Sequence, residues 1–360
     1  MGRIPRPLTA LLVLAFALPL LGGCGETSSA PGASLVPARE EIVDGVRVGH
    51  FFTEVDGVSW HWVEAGDRRL PTIVFVHGVP ESWWSWHHQV ADLAAERHVV
   101  AVDLKGFGES GKPTTGFGVE QLGEELARLL SSIGVERFDL VSHDWGTVVA
   151  QETAAAHPDR IRRYVRMQAP VAIMDLENNH RQLFLFQDQA FAQRVLSDPN
   201  SVRGIYGYDG RRGALTLVPL PNAEVDRIAA EFTRPGTAAS VARLFVENPV
   251  LDLDLFLRGS DRFAKMDFPV LLLQASDDPN QPLWYFDGAT GLFPDARLEI
   301  VEDSGHFTEL EQPARVNAAI RRFTGLGPRA AGRGAVAEVD GDRQRGATSD
   351  AGASSARSSS

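Results

Sequence analysis

The stretch Phe138-Asp139-Leu140-Val141-Ser142-His143-Asp144-Trp145-Gly146-Thr147 constrains this chain more than any other. Its apolar run, Leu140 and Val141, ends in the pattern small-x-Asp-x-small, and a helical pattern starts at once after it. The reading is a strand, a sharp turn and a helix. A turn this tight holds its central residue in strained backbone, so its neighbours must be small. Here they are Ser142 and Gly146. The Asp144 side chain is then lifted clear of the sheet, and the amide of Trp145 points at the same spot.

The two ends of the chain stand apart from this core. Arg3 and Arg6 precede an apolar run from Leu8 to Leu21, too short to span a bilayer and suited to a secretory signal. The run ends in Leu21-Gly22-Gly23-Cys24, which resembles the lipobox of bacterial lipoproteins, where the Cys is acylated. Cys24 is the only Cys, so no intramolecular disulfide is possible. The expectation is a signal peptide over 1–23 and a protein exported and lipid-anchored to the bacterial cell envelope. Residues 24–40 read as a flexible tether. Residues 327–360 have almost no large apolar side chains and read as a disordered tail. The net charge of −12 leaves no basic footprint for nucleic acid.

Between these ends, strands alternate with helices. Val58–Glu64, Thr72–Val76, His98–Val102, Arg160–Met167, Phe268–Gln274 and Ala296–Val301 read as strands, with β-branched or apolar runs. Val119–Ile133 reads as a helix, with Leu122, Leu126, Leu129 and Leu130 at helical spacing. Such alternation implies a mostly parallel sheet with helices on both faces. From 171 to 266 strand-like runs vanish, which predicts an inserted helical cap between core segments 41–170 and 267–326.

In such a sheet the ligand site lies beyond the carboxyl ends of the strands. Four groups fall there. Asp144 is a nucleophile able to form a covalent ester with carbon. His306, just after the last strand, is the candidate base that activates water on that ester. Asp277 and Asp278 follow the strand at Val270, and either could orient His306. The backbone amides of Val79 and Trp145 are the candidate oxyanion donors. His77 reads as a hydrogen-bonder beneath the Val79 loop rather than as a second base. Trp83, Trp84 and Trp86 read as packing for the first helix.

His77-Gly78-Val79-Pro80-Glu81-Ser82-Trp83, Asp103-Leu104-Lys105-Gly106-Phe107-Gly108-Glu109-Ser110, His143-Asp144-Trp145-Gly146 and Ser304-Gly305-His306-Phe307 together resemble the epoxide hydrolase branch of the α/β-hydrolase fold. The resemblance covers about Phe51 to Phe323. It implies Asp144 as nucleophile, Asp278 as the acid, His306 as the base, and no metal or organic cofactor. It also implies cap tyrosines that protonate the departing oxygen. Here the corresponding regions read Leu183-Phe184-Leu185-Phe186-Gln187 and Arg243-Leu244-Phe245-Val246, and the cap's tyrosines are Tyr206 and Tyr208. Either takes over as proton donor, or the leaving group needs none. Thr147, where the family usually has Gly, is a smaller departure. Haloalkane dehalogenases share the Asp nucleophile and the following Trp, whose indole N–H grips a halide, so Trp145 fits that role too. The expected substrate is a small apolar epoxide or halogenated compound, with water as co-substrate; Pro80-Glu81-Ser82-Trp83 favours the epoxide. A binding protein that keeps the pocket without turnover is the reading from another class.

Overall fold

A computed structural model describes residues 36–171, 173–175, 177, 181–249 and 261–328, with the side chains of Arg181 and Gln182 left out. The signal segment, Cys24 and nearly all of the tail lie outside the described residues. No helix among the described residues is long and apolar enough to cross a membrane.

Nine strands form one sheet. They are β1 (Arg39–Val43), β2 (Val46–Val55), β3 (Val58–Ala65), β4 (Thr72–Val76), β5 (His98–Val102), β6 (Phe138–His143), β7 (Ile161–Met167), then β10 (Val270–Ala275) and β11 (Ala296–Val301), in the order β1-β2-β3-β5-β4-β6-β7-β10-β11. Pairing is antiparallel from β1 through β3 to β5 and parallel from β5 to β11. Strand β1 starts inside the stretch read as tether, and β1 and β2 precede the first strand that the alternation marks. The two hairpin turns, Asp44-Gly45 and Asp56-Gly57, have positive φ at both residues. That backbone suits the right-handed twist of two antiparallel strands, and Asp-Gly is a preferred pair for it.

Alternate residues of the central strands feed two cores. Val74, Val76, Val100 and Leu140 pack with Leu122, Leu126, Val148 and Val149, which belong to α2 (Val119–Ser132) and α3 (Asp144–Ala156). Ile73, Phe75, Val99 and Val141 pack with Val90 and Leu93 of α1 (His87–Leu93) and with Val316 and Ile320 of the last helix, Pro313–Phe323. Every residue of β4, β5, β6 and β10 is buried. Full burial of each large apolar side chain contributes about 1.5–3 kcal/mol. This fixes the carboxyl ends of β4, β6 and β10 along one edge of the parallel sheet, with β7 between β6 and β10, and the chemical residues sit there. Trp83 and Trp86 are buried in the second core, while Trp84 is half-buried beneath the Arg227 guanidinium, 3.4 Å from its ring centre.

Between β7 and β10 lie α4 (Arg181–Phe186), α5 (Gln189–Leu196), α6 (Pro199–Tyr206), α7 (Asn222–Phe232) and α8 (Thr237–Glu247). This stretch also carries a short hairpin, β8 (Gly207–Tyr208) with β9 (Arg211–Arg212).

Candidate active site

Helix α3 begins at Asp144 itself, and Asp144 has φ 47°. A non-glycine residue pays for this left-handed backbone, and such strain concentrates at functional sites. The turn closes because Gly146 has no side chain: a Cβ there would stand 2.1 Å from the His77 carbonyl oxygen. The Thr147 hydroxyl meets Ser142 Oγ at 2.9 Å and donates to the Met167 carbonyl at 3.1 Å, so this departure from Gly is fully accommodated.

The Asp144 carboxylate is held from two sides. The Val79 amide donates to Oδ1 at 2.9 Å, and His306 Nε2 stands 3.5 Å from Oδ2. A Cβ on Gly78 would come within 2.5 Å of the Asp144 Cβ, so the loop can approach only with Gly there. The Trp145 amide lies in the first turn of α3, where N–H groups have no intrahelical partner. His77 sits beneath this loop, fully buried, with Nδ1 on the Gly78 carbonyl at 2.8 Å and Nε2 accepting from the Leu104 amide at 3.1 Å. Both nitrogens are spent on backbone.

His306 Nδ1 meets Asp278 Oδ2 at 2.8 Å. Asp278 Oδ1 accepts from the amides of Asn280 and Gln281, at 2.8 and 3.0 Å. Asp277 is directed elsewhere, with its carboxylate on the Ser276 hydroxyl. The His306 amide donates to the Leu215 carbonyl of the cap at 2.7 Å. Glu311 gathers the amides of Gly305, Leu217 and Val218 on one oxygen, which ties the cap to the loop that carries His306.

Charge follows from this geometry. Burial opposes ionisation of Asp144, but the hydrogen bond and charge of His306, the charge of His143 and the Val79 amide hold its carboxyl below the usual range. Burial also opposes protonation of His306, yet Asp278 and Asp144 raise it well above an ordinary imidazole. His306 thus stands between two carboxyl groups, both of which favour its protonated form.

Asp144 and His306 border a cavity of about 460 Å³, walled largely by apolar side chains such as Met174, Leu183, Phe186 and Phe245. The Trp145 ring borders it too and meets the edge of Phe245, centre to centre 5.3 Å. Neither cap tyrosine borders it. Tyr206 ends α6 fully buried against Phe307, and Tyr208 donates to Asp226 at 2.7 Å. The segment from Gly204 to Gly210 folds into a helix end and a hairpin, and the expectation that one of these tyrosines is the proton donor finds no support in the cavity lining. Gln168 is a cavity residue that the sequence reading missed. It directly follows β7, has φ 37°, and donates to Thr308 Oγ1 at 2.9 Å. Its position at a strand's carboxyl end was the available signal.

A parallel sheet carrying an Asp in a strained turn, with an Asp and a His at later strand ends, defines an α/β-hydrolase. The chain belongs to the alpha/beta hydrolase fold family, whose model matches residues 71–313. Epoxide hydrolase A of Mycobacterium tuberculosis is 28% identical over 76% of this chain and 96% of its own length. Epoxide hydrolase 3 of Xenopus tropicalis is 34% identical over 76% of this chain and 77% of its own length. The crystal structure of epoxide hydrolase A from Mycobacterium thermoresistibile superposes with a TM-score of 0.63 at 27% identity, covering 78% of this chain and 99% of that one. Within the family, this protein is an epoxide hydrolase-like enzyme.

Proposed function

We propose that the protein opens a small apolar epoxide to a diol through an ester on Asp144. Oδ2 attacks a ring carbon, because Oδ1 is engaged by the Val79 amide. The carbon–oxygen bond breaks and the departing alkoxide takes a proton from water, leaving hydroxide; the Trp145 ring borders the same cavity. Esterification removes the Asp144 charge, so His306 loses one of the two partners that keep it protonated, and the hydroxide left by that proton transfer takes its proton to reform water. Neutral His306 then takes a proton from a water that attacks the Asp144 carbonyl carbon. The oxyanion forms on Oδ1, against the amides of Val79 and Trp145, and collapses to release the diol. Asp278 stabilises the imidazolium. The observation that carries this reading is the single line of contacts Val79 N, Asp144, His306 and Asp278.

Intact mass of His306→Ala protein after exposure to an epoxide panel tests it. The expected result is an adduct of the full epoxide mass, absent from Asp144→Ala. No adduct would refute the ester. A second reading, carbon–halogen hydrolysis, is favoured by one observation: no phenol borders the cavity, and a halide needs none. It would give adducts of alkyl mass with free halide.

We also propose that the enzyme is exported and lipid-anchored through Cys24. Cys24→Ser should move it from the membrane to the soluble envelope fraction and remove the acyl mass; a membrane fraction unchanged by this substitution would rule the anchor out.

A further inference from the structure

Behind the nucleophile lies a second titratable cluster that the proposed chemistry does not use. Glu81, from the loop after β4, His143, the last residue of β6, and Glu309, from the short helix Thr308–Glu311, are all buried and bring one ligand-type atom each within 4.8 Å of the others.

His143 closes two rings of contacts through Asp144. In the first, its Nδ1 meets Glu81 Oε2 at 2.9 Å. The same oxygen accepts the Gly78 amide at 2.7 Å, and the next amide, that of Val79, holds Asp144 Oδ1. In the second, His143 Nε2 donates to the His306 carbonyl at 2.9 Å, and His306 Nε2 returns to Asp144 Oδ2. One side chain thus joins the oxyanion loop and the base loop to the nucleophile. Glu309 completes the cluster, with Oε1 3.8 Å from His143 Nδ1. Among the described residues neither Glu309 oxygen, nor Glu81 Oε1, receives an N–H or O–H. Two buried carboxyls this close do not both ionise readily, so one of them keeps its proton.

We propose that Glu309 is a positioning residue that acts as the neutral, proton-carrying partner of Glu81, and that this proton keeps Glu81 on the Gly78 amide and so keeps the oxyanion donor of Val79 in place. The proposal rests on the Asp144 ester reading. Its physics is like-charge repulsion. Burial and the Glu81 charge hold the Glu309 carboxyl well above the usual range. Burial opposes ionisation of Glu81, but His143 holds it well below. The titratable groups around Glu309 are Glu81, His143, Glu311 of its own helix and Tyr206 of α6. When Glu309 loses its proton at alkaline pH, two adjacent buried anions repel, Glu81 leaves Gly78, and Val79 is no longer fixed against the ester oxygen. The step that builds charge on that oxygen, ester hydrolysis, suffers most.

The test is the pH dependence of ester hydrolysis in single turnovers of the full enzyme, with the ester followed by intact mass. Wild type should lose hydrolysis at alkaline pH. Glu309→Gln, which keeps the neutral shape, should keep hydrolysis within about threefold at neutral pH and lack the alkaline fall. Glu81→Gln should slow hydrolysis about a hundredfold or more, the lower end of what a displaced oxyanion donor costs. An alkaline fall that persists unchanged in folded Glu309→Gln would overturn the proposal, as would a folded but inactive Glu309→Gln. If neither wild type nor His306→Ala forms an ester, the ester reading itself fails, an outcome distinct from both.

Discussion

Replacing Asp278 with Asn separates the two halves of the reaction. Asp278 Oδ1 accepts two backbone amides, from Asn280 and Gln281, while Oδ2 faces His306 Nδ1 at 2.8 Å. In Asp278→Asn the amide oxygen must stay with the two N–H donors. Its NH2 group therefore faces Nδ1, which becomes an acceptor. The imidazole proton moves to Nε2, the atom that faces Asp144 and must take a proton from water. Loss of the carboxylate also removes the larger of the charges that stabilise the imidazolium. A wrong tautomer of this kind lowers turnover about 10⁴-fold in a serine protease triad, or about 5 kcal/mol. Alkylation needs only the Asp144 anion, still held by Val79, and should fall less than about tenfold. Rapid quenching followed by intact mass should show the ester rising at near wild-type rate and then persisting. Asp277→Asn should behave as wild type. Ester hydrolysis within about tenfold of wild type in Asp278→Asn would refute the tautomer argument.

Phe245→Tyr or Phe186→Tyr places a phenol in the cavity wall and should speed ring opening about tenfold or more, measured as ester formation in a His306→Ala background. An unchanged rate in both would show that the departing oxygen does not face these helices. Gly146→Ala drives a methyl group against the His77 carbonyl and should cost roughly 1–3 kcal/mol or more in urea unfolding, with activity lost. Burial and then Asp44 raise the Glu224 carboxyl to about 7 from 4.5. The proton is therefore held more tightly in the folded state: stability is greatest below the unfolded value and is lost as pH rises through about 7. Glu224→Gln should unfold like wild type at about pH 4 but be more stable at about pH 8.5, by at most roughly 3 kcal/mol. Equal urea midpoints at the higher pH would refute the shift.

The core residues were legible because each obeys a local constraint. Asp144 needs small neighbours and a strand before it, and Ser142, Gly146 and Leu140-Val141 are printed beside it. His306 and Asp278 stand just past apolar runs. The choice between Asp277 and Asp278 needed the loop's path, since two adjacent carboxylates look alike until one is seen on Nδ1. Strands β1 and β2 were missed because one face of each is wet: the pattern of β1 is largely exposed, and its Glu and Arg side chains hide the strand. The Asp44-Gly45 pair was the available clue. The position of the cap tyrosines was not legible, because glycines at 204, 207 and 210 suggest a loop. Asp198-Pro199 is in fact a helix start, with the Asp198 side chain accepting the Asn200 amide and Pro in the first turn. Read that way, Tyr206 falls on a helix end with one buried face.

The division of labour between core and cap explains why reaction type was easier to read than substrate. Asp144 and Asp278 directly follow or lie just beyond the fully buried strands β6 and β10, and His306 follows β11, whose last residue, Val301, is buried. The cap contributes backbone to that machinery, through Leu215, Leu217 and Val218, but its side chains in the cavity are walls. A wall residue can change from Tyr to Phe with almost no loss of packing, since the rings share shape and apolar area. The leaving group can therefore drift while Asp144, Asp278 and His306 stay fixed. Phe186 and Phe245, whose rings lie 4.8 Å apart beside Trp145, are the wall positions at which the two Phe→Tyr variants test that freedom.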